Sequence, residues 1–478
     1  MAYNTKRVTE QQLAAQRDYA HEASVLLRER FGTPTAYVET YGCQQNESDS
    51  ELLRGMLSDM GCTLVKDGSQ ANIIVLNTCA IREHAETRVF GNIGAFGYEK
   101  KNRPGTVIAV CGCMAQHESA AEKMKKSYPY VDMVFGPHAL WRFPELLHRR
   151  LIGKKRVFAV EASDGFVAEG ISRLRDSDIK SWVSVMYGCN NFCSYCVVPY
   201  VRGRERSRLP EDILAEIASL AAAGCKDITL LGQNVNSYGR DLDCGTDFAK
   251  LLRQVDKIDG DFLVHFMTSH PKDAGEELFA AMAECKKAAP HLHLPFQSGS
   301  SRILKDMNRG YTREQYIEKV RLARKYIPGL TLTSDVIVGF PGETEEDFEE
   351  TLTLIEEVGF HALFTFIFSP RSGTPAYSME DNTPREVKQR RFDRLLDMQN
   401  SISARLHGEM VGKTYRVLVD GENQTGGQDY NLSSRTASGR LVHLKGDKSL
   451  IGKYVNARIT GSTTWSLMGE VTEETEVK

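Results

Sequence analysis

Residues 186–199, MYGCNNFCSYCVVP, set Cys189, Cys193 and Cys196 in a C-x3-C-x2-C spacing directly after a strand-like run, Trp182 to Met186. Three thiolates within eight residues, on a loop opened by Gly188, can reach one small inorganic centre. A lone structural zinc takes four protein ligands, usually as paired C-x2-C knuckles, so this spacing leaves it one short. An odd number of cysteines does not build a disulfide framework. On a four-iron, four-sulfur cluster, three thiolates leave one iron open, which is what a cluster needs in order to bind a substrate.

A chain of 478 residues suggests about three domains. The composition is that of a globular protein, 41% apolar and 26% charged, and the formal net charge is −3, so any basic surface has to be local. Eleven cysteines are many for a chain whose N-terminus, MAYNTKRVTEQQLAAQRDYA, lacks an apolar signal core. No run approaches the roughly eighteen apolar residues of a membrane span. These features predict a cytoplasmic protein with no membrane segment, where clustered thiols mean metal or redox chemistry rather than crosslinks.

Residues 1–33 predict a polar helical lead-in, with Leu13, Ala20, Val25 and Leu26 on one face. Across 34–150, short apolar runs alternate with amphipathic stretches. The strand candidates are Ala36–Glu39, Asn72–Leu76 and Thr106–Val110, with helices near Ser48–Met60, Arg82–Tyr98 and Gln116–Tyr128. That alternation predicts an open parallel α/β sheet covered on both faces. Cys43 lies four residues past the first strand, Cys79 just past the second, and Cys111 and Cys113 at the end of the third. Ligands of an open parallel sheet bind beyond the carboxyl ends of its strands, so three of these cysteines are expected to converge on a second three-thiolate site, the alternative being that they are small buried hydrophobes. Cys62, Cys225, Cys244 and Cys285 read as small buried hydrophobes.

Residues 151–180 read as a linker, with a strand near Arg156–Val160 and a mixed-charge run, Ser172–Lys180. From 181 to 407 the βα alternation resumes six times, with strands at Trp182–Met186, Asp227–Leu231, Leu263–Met267, His291–Leu294, Leu332–Val338 and Ala362–Phe368. Helices are expected near Glu211–Ala223, Phe248–Lys257, Ala274–Lys286, Arg313–Tyr326, Glu345–Glu357 and Arg385–His407. Six units are too few to close an eight-stranded barrel, so a partial (β/α)6 barrel is expected, its mouth formed by the loops after each strand. His291 and His293 share a strand face there and read as mouth-lining or satisfied core residues rather than a metal pair.

Residues 408–473 read as all-β, with strands at Thr414–Val419, Tyr430–Ser433, Arg440–Leu444 and Tyr454–Thr460. Gly408-x3-Gly412-Lys413-Thr414 imitates a P-loop but is one residue short and precedes a strand. Three segments are net basic. Arg202, Arg204, Arg206 and Arg208 stand against Glu205 alone, Arg385–His407 carries six basic and three acidic residues, and Lys413–Glu470 eight and five. Charge segregated in this way suits phosphate binding.

The C-x3-C-x2-C loop, with Tyr195 as the aromatic before its last cysteine, resembles the signature of the radical S-adenosylmethionine (SAM) enzymes. TYGCQQNESDS, NTCAIRE and GCMAQ are similar to the three cysteine motifs of the methylthiotransferase N-terminal domain, and the tail resembles a TRAM domain, a small OB-like barrel of tRNA-modifying enzymes. NTCAIRE, RGRERSR and HLPFQSGS bring the chain nearest to the MiaB-like tRNA methylthiotransferases. The implied architecture is α/β: an N-terminal open parallel domain, a central partial (β/α)6 barrel of radical SAM type, and a C-terminal TRAM barrel.

The resemblance implies two 4Fe-4S clusters, one on Cys189, Cys193 and Cys196 and an auxiliary one on Cys43, Cys79 and Cys113, with Cys111 a strand-end residue and not a ligand. It implies SAM as cofactor, with Tyr195, Gln233, Asn234, Ser269, Gln297, Ser298, Asp335 and Arg371 as candidates for SAM or substrate contact. LLGQN stands where many related enzymes carry a GGE-like stretch, as in the methylthiotransferase subgroup. The implied reaction places a methylthio group at C2 of N6-isopentenyladenosine at position 37 of tRNA, with one SAM as methyl donor and another as source of a 5′-deoxyadenosyl radical. The implied partners are the tRNA anticodon stem-loop and a reducing protein such as a flavodoxin or ferredoxin, with the chain a monomer. Sister branches modify threonylcarbamoyladenosine in tRNA or an aspartate of a ribosomal protein. A tRNA-binding protein with structural metal is the non-enzymatic alternative.

Overall fold

A computed structural model describes residues 6–80, 83–161, 165–423 and 430–474. The apolar runs of the N-terminal region pair as β1 (Thr35–Thr40), β2 (Thr63–Leu64), β3 (Ile73–Thr78), β4 (Val107–Gly112), β5 (Met133–Phe135) and β6 (Val157–Ala159). All pair in parallel, in the order β2-β1-β3-β4-β5-β6. β3 and β4 are buried at every position, as the continuous apolar runs require when helices cover both faces. Chain order reverses at β1, which has β2 on one side and β3 on the other, so the switch point lies between β1 and β3.

The lead-in is the helix Glu10–Phe31, opened by a Thr9–Gln12 capping box. It packs through Gln16, Ala23 and Leu27, whereas Val25 is exposed, so the buried stripe lies to one side of the predicted face. The helix expected from Arg82 runs Glu83–Asn102, with Arg82 itself outside the described residues. The one expected near Gln116 is split into Cys113–Gln116 and Glu118–Ser127. The segment read as a linker supplies β6, and its charged run is threaded between neighbours. Arg175 pairs with Glu51 at 3.2 Å and with Glu216 at 2.7 Å. A Cβ on Gly55 would lie 2.2 Å from the Ser172 carbonyl oxygen, so the run can pass only over a glycine.

In the central region β7 (Lys180–Ser184) leads into a short antiparallel ladder, β8 (Met186–Tyr187) against β9 (Arg206–Ser207), that brackets the cysteine loop. β10 (Asp227–Leu231), β11 (Leu263–Phe266), β12 (His291–His293), β13 (Thr331–Val338) and β14 (Ala362–Ile367) complete six parallel strands. They form two three-stranded sheets, joined by the parallel bridge Val264–Ala288. This is the expected partial barrel. The six expected helices are present, with two more among the described residues, Val198–Arg202 and Ser301–Asp306, that the periodicity does not signal.

The tail closes as β15 (Thr414–Glu422), β16 (Leu432–Thr436), β17 (Leu441–Lys445), β18 (Tyr454–Ser462) and β19 (Leu467–Glu474). The fifth strand, LMGEVTEE, was not predicted. It closes the barrel between β17 and β18. The tail docks on the amino ends of the central strands. The Tyr454 hydroxyl donates to the Lys226 carbonyl at 2.7 Å, Arg416 pairs with Asp261 at 2.7 Å, and Lys180 pairs with Asp420.

Candidate functional site

The carboxyl ends of β1, β3 and β4 bring Cys43, Cys79 and Cys113 together at the switch point. Cys43 is the N-cap of the helix Gln44–Asp59, and Cys113 opens the helix after β4. Two glycines let the three loops close up. A Cβ on Gly42 (φ +132°) would lie 2.5 Å from the Cys79 Cβ, and one on Gly112 (φ +92°) 2.4 Å from the Thr78 carbonyl oxygen. Asn46 and Asn77 cross-link the floor: Asn46 Nδ2 donates to the Asn77 Oδ1 at 3.1 Å and the Thr78 carbonyl at 3.0 Å, and Asn77 Nδ2 to the Asn46 carbonyl at 2.8 Å. Burial pushes the Cys113 thiol up to about 12. Arg202 pulls it back, while the nearby Cys79 and Cys43 push it further. Cys111 lies within β4, fully buried in the core with Val75 and Phe135, as the strand-end reading expects.

The second site is built by one loop. Gly188 (φ +78°) starts it, and a Cβ there would lie 2.0 Å from the Arg204 carbonyl oxygen. The Gly188 N–H donates to Gln233 Oε1 at 2.5 Å, and the Cys196 N–H to the Cys193 carbonyl at 3.0 Å. Burial raises Cys189 to about 12, and raises Cys196 too, each with a further push from Cys193. A buried arginine that the sequence reading did not single out, Arg309, places Nη1 3.4 Å from both the Cys193 Sγ and the Tyr195 hydroxyl, and donates to the Pro295 carbonyl at 2.7 Å. His270 Nε2 lies 4.0 Å from the same sulfur.

Backbone strain gathers at this mouth. Among the described residues, the non-glycine residues with positive φ are Phe192 (47°), Thr268 (69°), Gln297 (67°) and Asn308 (58°). Phe192 is in the cysteine loop, and Asn308 holds that loop by donating to the Phe192 carbonyl at 3.0 Å. Thr268 and Gln297 follow β11 and β12, and a β-branched residue in this region is costly enough to mark a functional site.

The other expected contacts divide. Ser269 is buried, and its hydroxyl meets no partner among the described residues, so it is available to a ligand. Asn234 is occupied, donating to Asp273 at 2.7 Å and accepting from the His270 N–H at 3.2 Å. The Ser298 hydroxyl caps its own turn by accepting from the Ser300 N–H at 3.2 Å. Asp335 lies 3.4 Å from His293 Nε2, and the Arg371 carbonyl accepts from the Thr374 hydroxyl at 2.7 Å. His291 and His293 share the Thr333 hydroxyl, at 2.9 and 3.0 Å, and are satisfied as expected. Cys62, Cys225 and Cys285 are buried, but Cys244 is exposed in the turn after β10, which corrects its reading as a buried hydrophobe.

The arginine run is also corrected. Arg202, Arg206 and Arg208 are buried, Arg208 between Glu169 and Glu216 at 2.7 Å each, and only Arg204 is half-exposed, over the Phe192 ring at 4.4 Å. Arg202 and Arg208 are internal ion-pair partners and Arg206 donates to the Arg202 and Arg204 carbonyls, so three of the four do not form a phosphate surface. Within Arg385–Gly408, Arg391 is likewise buried against Glu343 at 3.1 Å.

Among the described residues no three His, Cys, Asp or Glu side chains converge on a single metal ion. A four-iron cluster takes each thiolate on a different iron, and so accepts a wider triad. Both triads offer sulfur ligands alone, and the thiols that burial raises, Cys113, Cys189 and Cys196, ionise readily only when a metal charge is supplied. The donor sets fit. The two sites also face each other: Cys113 packs on Val197 and Val201, just past Cys196.

Residues 35–136 match the Uncharacterized protein family UPF0004, 183–355 the Radical SAM superfamily and 408–472 the TRAM domain. Among solved structures, the radical S-adenosylmethionine methyltransferase TsrM from Kitasatospora setae, with cobalamin and a 4Fe-4S cluster bound, aligns over 72% of this chain and 74% of its own with a TM-score of 0.53. At 15% identity that likeness speaks for the fold alone. Relatives named tRNA-2-methylthio-N(6)-dimethylallyladenosine synthase are far nearer. The one from Acetivibrio thermocellus is 50% identical, covering 91% of this chain and 90% of its own, and the one from Thermoanaerobacter sp. 48%, covering 98% of both. With half its residues shared over nearly its whole length, the chain belongs to the family of tRNA-2-methylthio-N(6)-dimethylallyladenosine synthases.

Proposed function

We propose that the chain installs a methylthio group at C2 of N6-isopentenyladenosine at position 37 of tRNA, using one SAM as methyl donor and a second as radical source. The observation that carries this reading is the meeting of two three-cysteine sites at one interface, where Cys113 packs beside the loop of Cys189, Cys193 and Cys196. C2 of an adenine is not acidic and carries no leaving group, so polar catalysis does not readily place sulfur there. Bound at these sites, a 4Fe-4S cluster on Cys189, Cys193 and Cys196 would supply the electron that cleaves SAM, and one on Cys43, Cys79 and Cys113 the sulfur.

The chain's own residues prepare that chemistry. Arg309 holds the Cys193 sulfur and the Tyr195 hydroxyl in fixed orientation, and Gln233 fixes the start of the loop. Thr268 and Gln297, in strained backbone, turn two strand-end loops across the mouth. We assign to SAM or substrate the Ser269 hydroxyl, which meets no partner among the described residues, together with Asp335 of β13 and Arg371 past β14. Burial of Cys79, Cys113 and Cys193 keeps water from part of each site.

Among the described residues no helix is long and apolar enough to cross a membrane. We place the protein in the cytoplasm as a monomer, acting on the anticodon stem-loop and reduced by a flavodoxin- or ferredoxin-like protein. The test is mass spectrometry of tRNA nucleosides from a strain lacking this gene. The methylthio nucleoside is expected to vanish, the isopentenyl nucleoside to accumulate, and the restored chain to reverse both. Methylthiolation unaltered by the deletion would overturn the reading. Zinc without visible absorption in anaerobically reconstituted protein would favour a structural-metal role.

A further inference from the structure

We infer that Arg202 is a positioning residue for the N-terminal cysteine site, supplied from the barrel: it donates a charged hydrogen bond to the Cys113 sulfur and raises the reduction potential of whatever cluster Cys113 holds. This rests on the reading of Cys113 as a cluster ligand. Arg202 ends the short helix Val198–Arg202, six residues past Cys196, and is 4% exposed. Its Nε lies 3.1 Å from the Cys113 Sγ and its Nη2 2.8 Å from Asp49 Oδ2.

Asp49 is itself held, since Gln45 Nε2 donates to its other oxygen at 3.1 Å and to the Ser184 hydroxyl of β7 at 2.9 Å. The Arg202 carbonyl accepts from Arg206 Nη1 at 3.0 Å. The guanidinium is therefore fixed at both ends. Three elements from two domains place it: the helix after Cys43, the strand before the barrel loop, and the helix after that loop.

A buried guanidinium is costly unless its charge is matched, and here one carboxylate and one thiolate share it. Charge-assisted bonds of this kind are stronger than neutral ones. Hydrogen bonds to ligating sulfur set the potential of an iron–sulfur centre, and the groups that make them also orient the ligand. A positive group at the sulfur favours the more reduced, more negative state. Arg309 makes the corresponding contact to Cys193, but from within the barrel and, among the described residues, without a carboxylate. Of the two, it is Arg202 that reaches across to the other domain's thiol.

The experiment uses full-length protein carrying C189A, C193A and C196A, so that iron reports only the N-terminal site. Arg202→Gln and Arg202→Lys are made in that background, reconstituted anaerobically, and titrated redox-potentiometrically with EPR detection. Arg202→Gln should shift the midpoint to more negative potential at unchanged iron content, with Arg202→Lys, which keeps charge but not the fork, in between. Failure of Arg202→Gln alone to load iron, with Arg202→Lys loading, also supports the inference, because charge is then what the site requires. Unchanged midpoints in both loaded variants would overturn it. So would loss of iron from both, which would make Arg202 a packing residue. Adding C43A, C79A and C113A to the background tests the ligand reading separately: iron retained there would remove that reading whatever Arg202 does.

Discussion

Cys189, Cys193 and Cys196 come from a single loop, whereas Cys43, Cys79 and Cys113 come from the ends of three strands. The first site is written in local spacing: Gly188 and a two-residue ladder set its cysteines in one loop, which Gln233, Asn308 and Arg309 then hold against the barrel. The second exists only if β1, β3 and β4 pair in register, because the register alone brings its cysteines to one edge. A site made by one loop can be lost or kept without its domain. A site made by three strand ends is coupled to the folding of the sheet. Each also keeps a buried arginine at one sulfur, Arg309 at Cys193 and Arg202 at Cys113. The likeness of chemistry and unlikeness of construction can be pulled apart by substitution.

The largest effect is expected from Cys193→Ala. It should remove about half the iron, in keeping with one 4Fe-4S cluster of two, and stop reductive SAM cleavage altogether. Iron at the N-terminal site should remain, because no ligand or strand of that sheet is touched. SAM cleavage by a variant shown to lack that iron would break the assignment.

Next comes the combined Cys43→Ala, Cys79→Ala and Cys113→Ala variant. Methylthiolation should disappear while cleavage of SAM to 5′-deoxyadenosine continues, since the loop site is complete without them. Given SAM without reductant, this variant should not accumulate the acid-labile methyl-sulfur species expected of the unaltered protein. Cys111→Ala should retain both activities and lose about 1 kcal/mol of stability through a small core void. Full methylthiolation by the triple variant would leave these cysteines as buried hydrophobes.

The constructional difference predicts a third contrast. Gly112→Ala forces a side chain into positive φ against the Thr78 carbonyl, and should cost the N-terminal sheet about 1–3 kcal/mol. Denaturant unfolding should show the loss together with depleted iron at that site. Gly188→Ala meets the Arg204 carbonyl instead, and should deplete iron at the loop site without shifting the unfolding of the sheet. Equal destabilisation by both would mean that the loop site is as dependent on its domain as the sheet site.

The same contrast explains what could be read in advance. The loop site, the partial barrel and the order of the three regions were legible because spacing and periodicity are local. Convergence of the distant cysteines was legible only through the rule that parallel sheets gather ligands at their carboxyl edge. Side-chain destination was not. RGRERSR reads as a basic surface, yet three of its guanidiniums turn inward, because carboxylates from elsewhere in the chain (Asp49, Glu169 and Glu216) meet Arg202 and Arg208. Arg309 sits in KDMNRGY with no neighbouring signal, and its place beside Cys193 depends on the turn after Ser301–Asp306. β19 was missed because its alternation is short and acidic.

The docking of the tail refines a fourth expectation. Its contacts with Lys226, Asp261 and Lys180 lie at the amino rim of the barrel, away from both cysteine sites. Truncation after His407 should therefore leave iron at both sites, while lowering tRNA affinity and flattening its dependence on salt. Affinity and slope unaltered by truncation would give the β-tail another role.

The smallest effect is expected at Arg204, two residues from Arg202. Arg202 is enclosed at the N-terminal cysteine site, whereas Arg204 is half-exposed and lies over Phe192 on the outer side of the loop site. If tRNA phosphate reaches this run, Arg204 is the guanidinium placed to meet it. Arg204→Gln should weaken tRNA binding modestly and lower the slope of log affinity against log salt by about 1 or less, with iron at both sites unchanged. Arg208→Gln should behave differently: it takes a buried guanidinium from Glu169 and leaves Glu216 to Arg175, and should cost about 1–3 kcal/mol of stability. Filter binding across a salt series, paired with denaturant unfolding, separates the two. An unchanged slope for Arg204→Gln would mean that phosphate does not meet this loop, and would leave RNA contact to other surfaces of the chain.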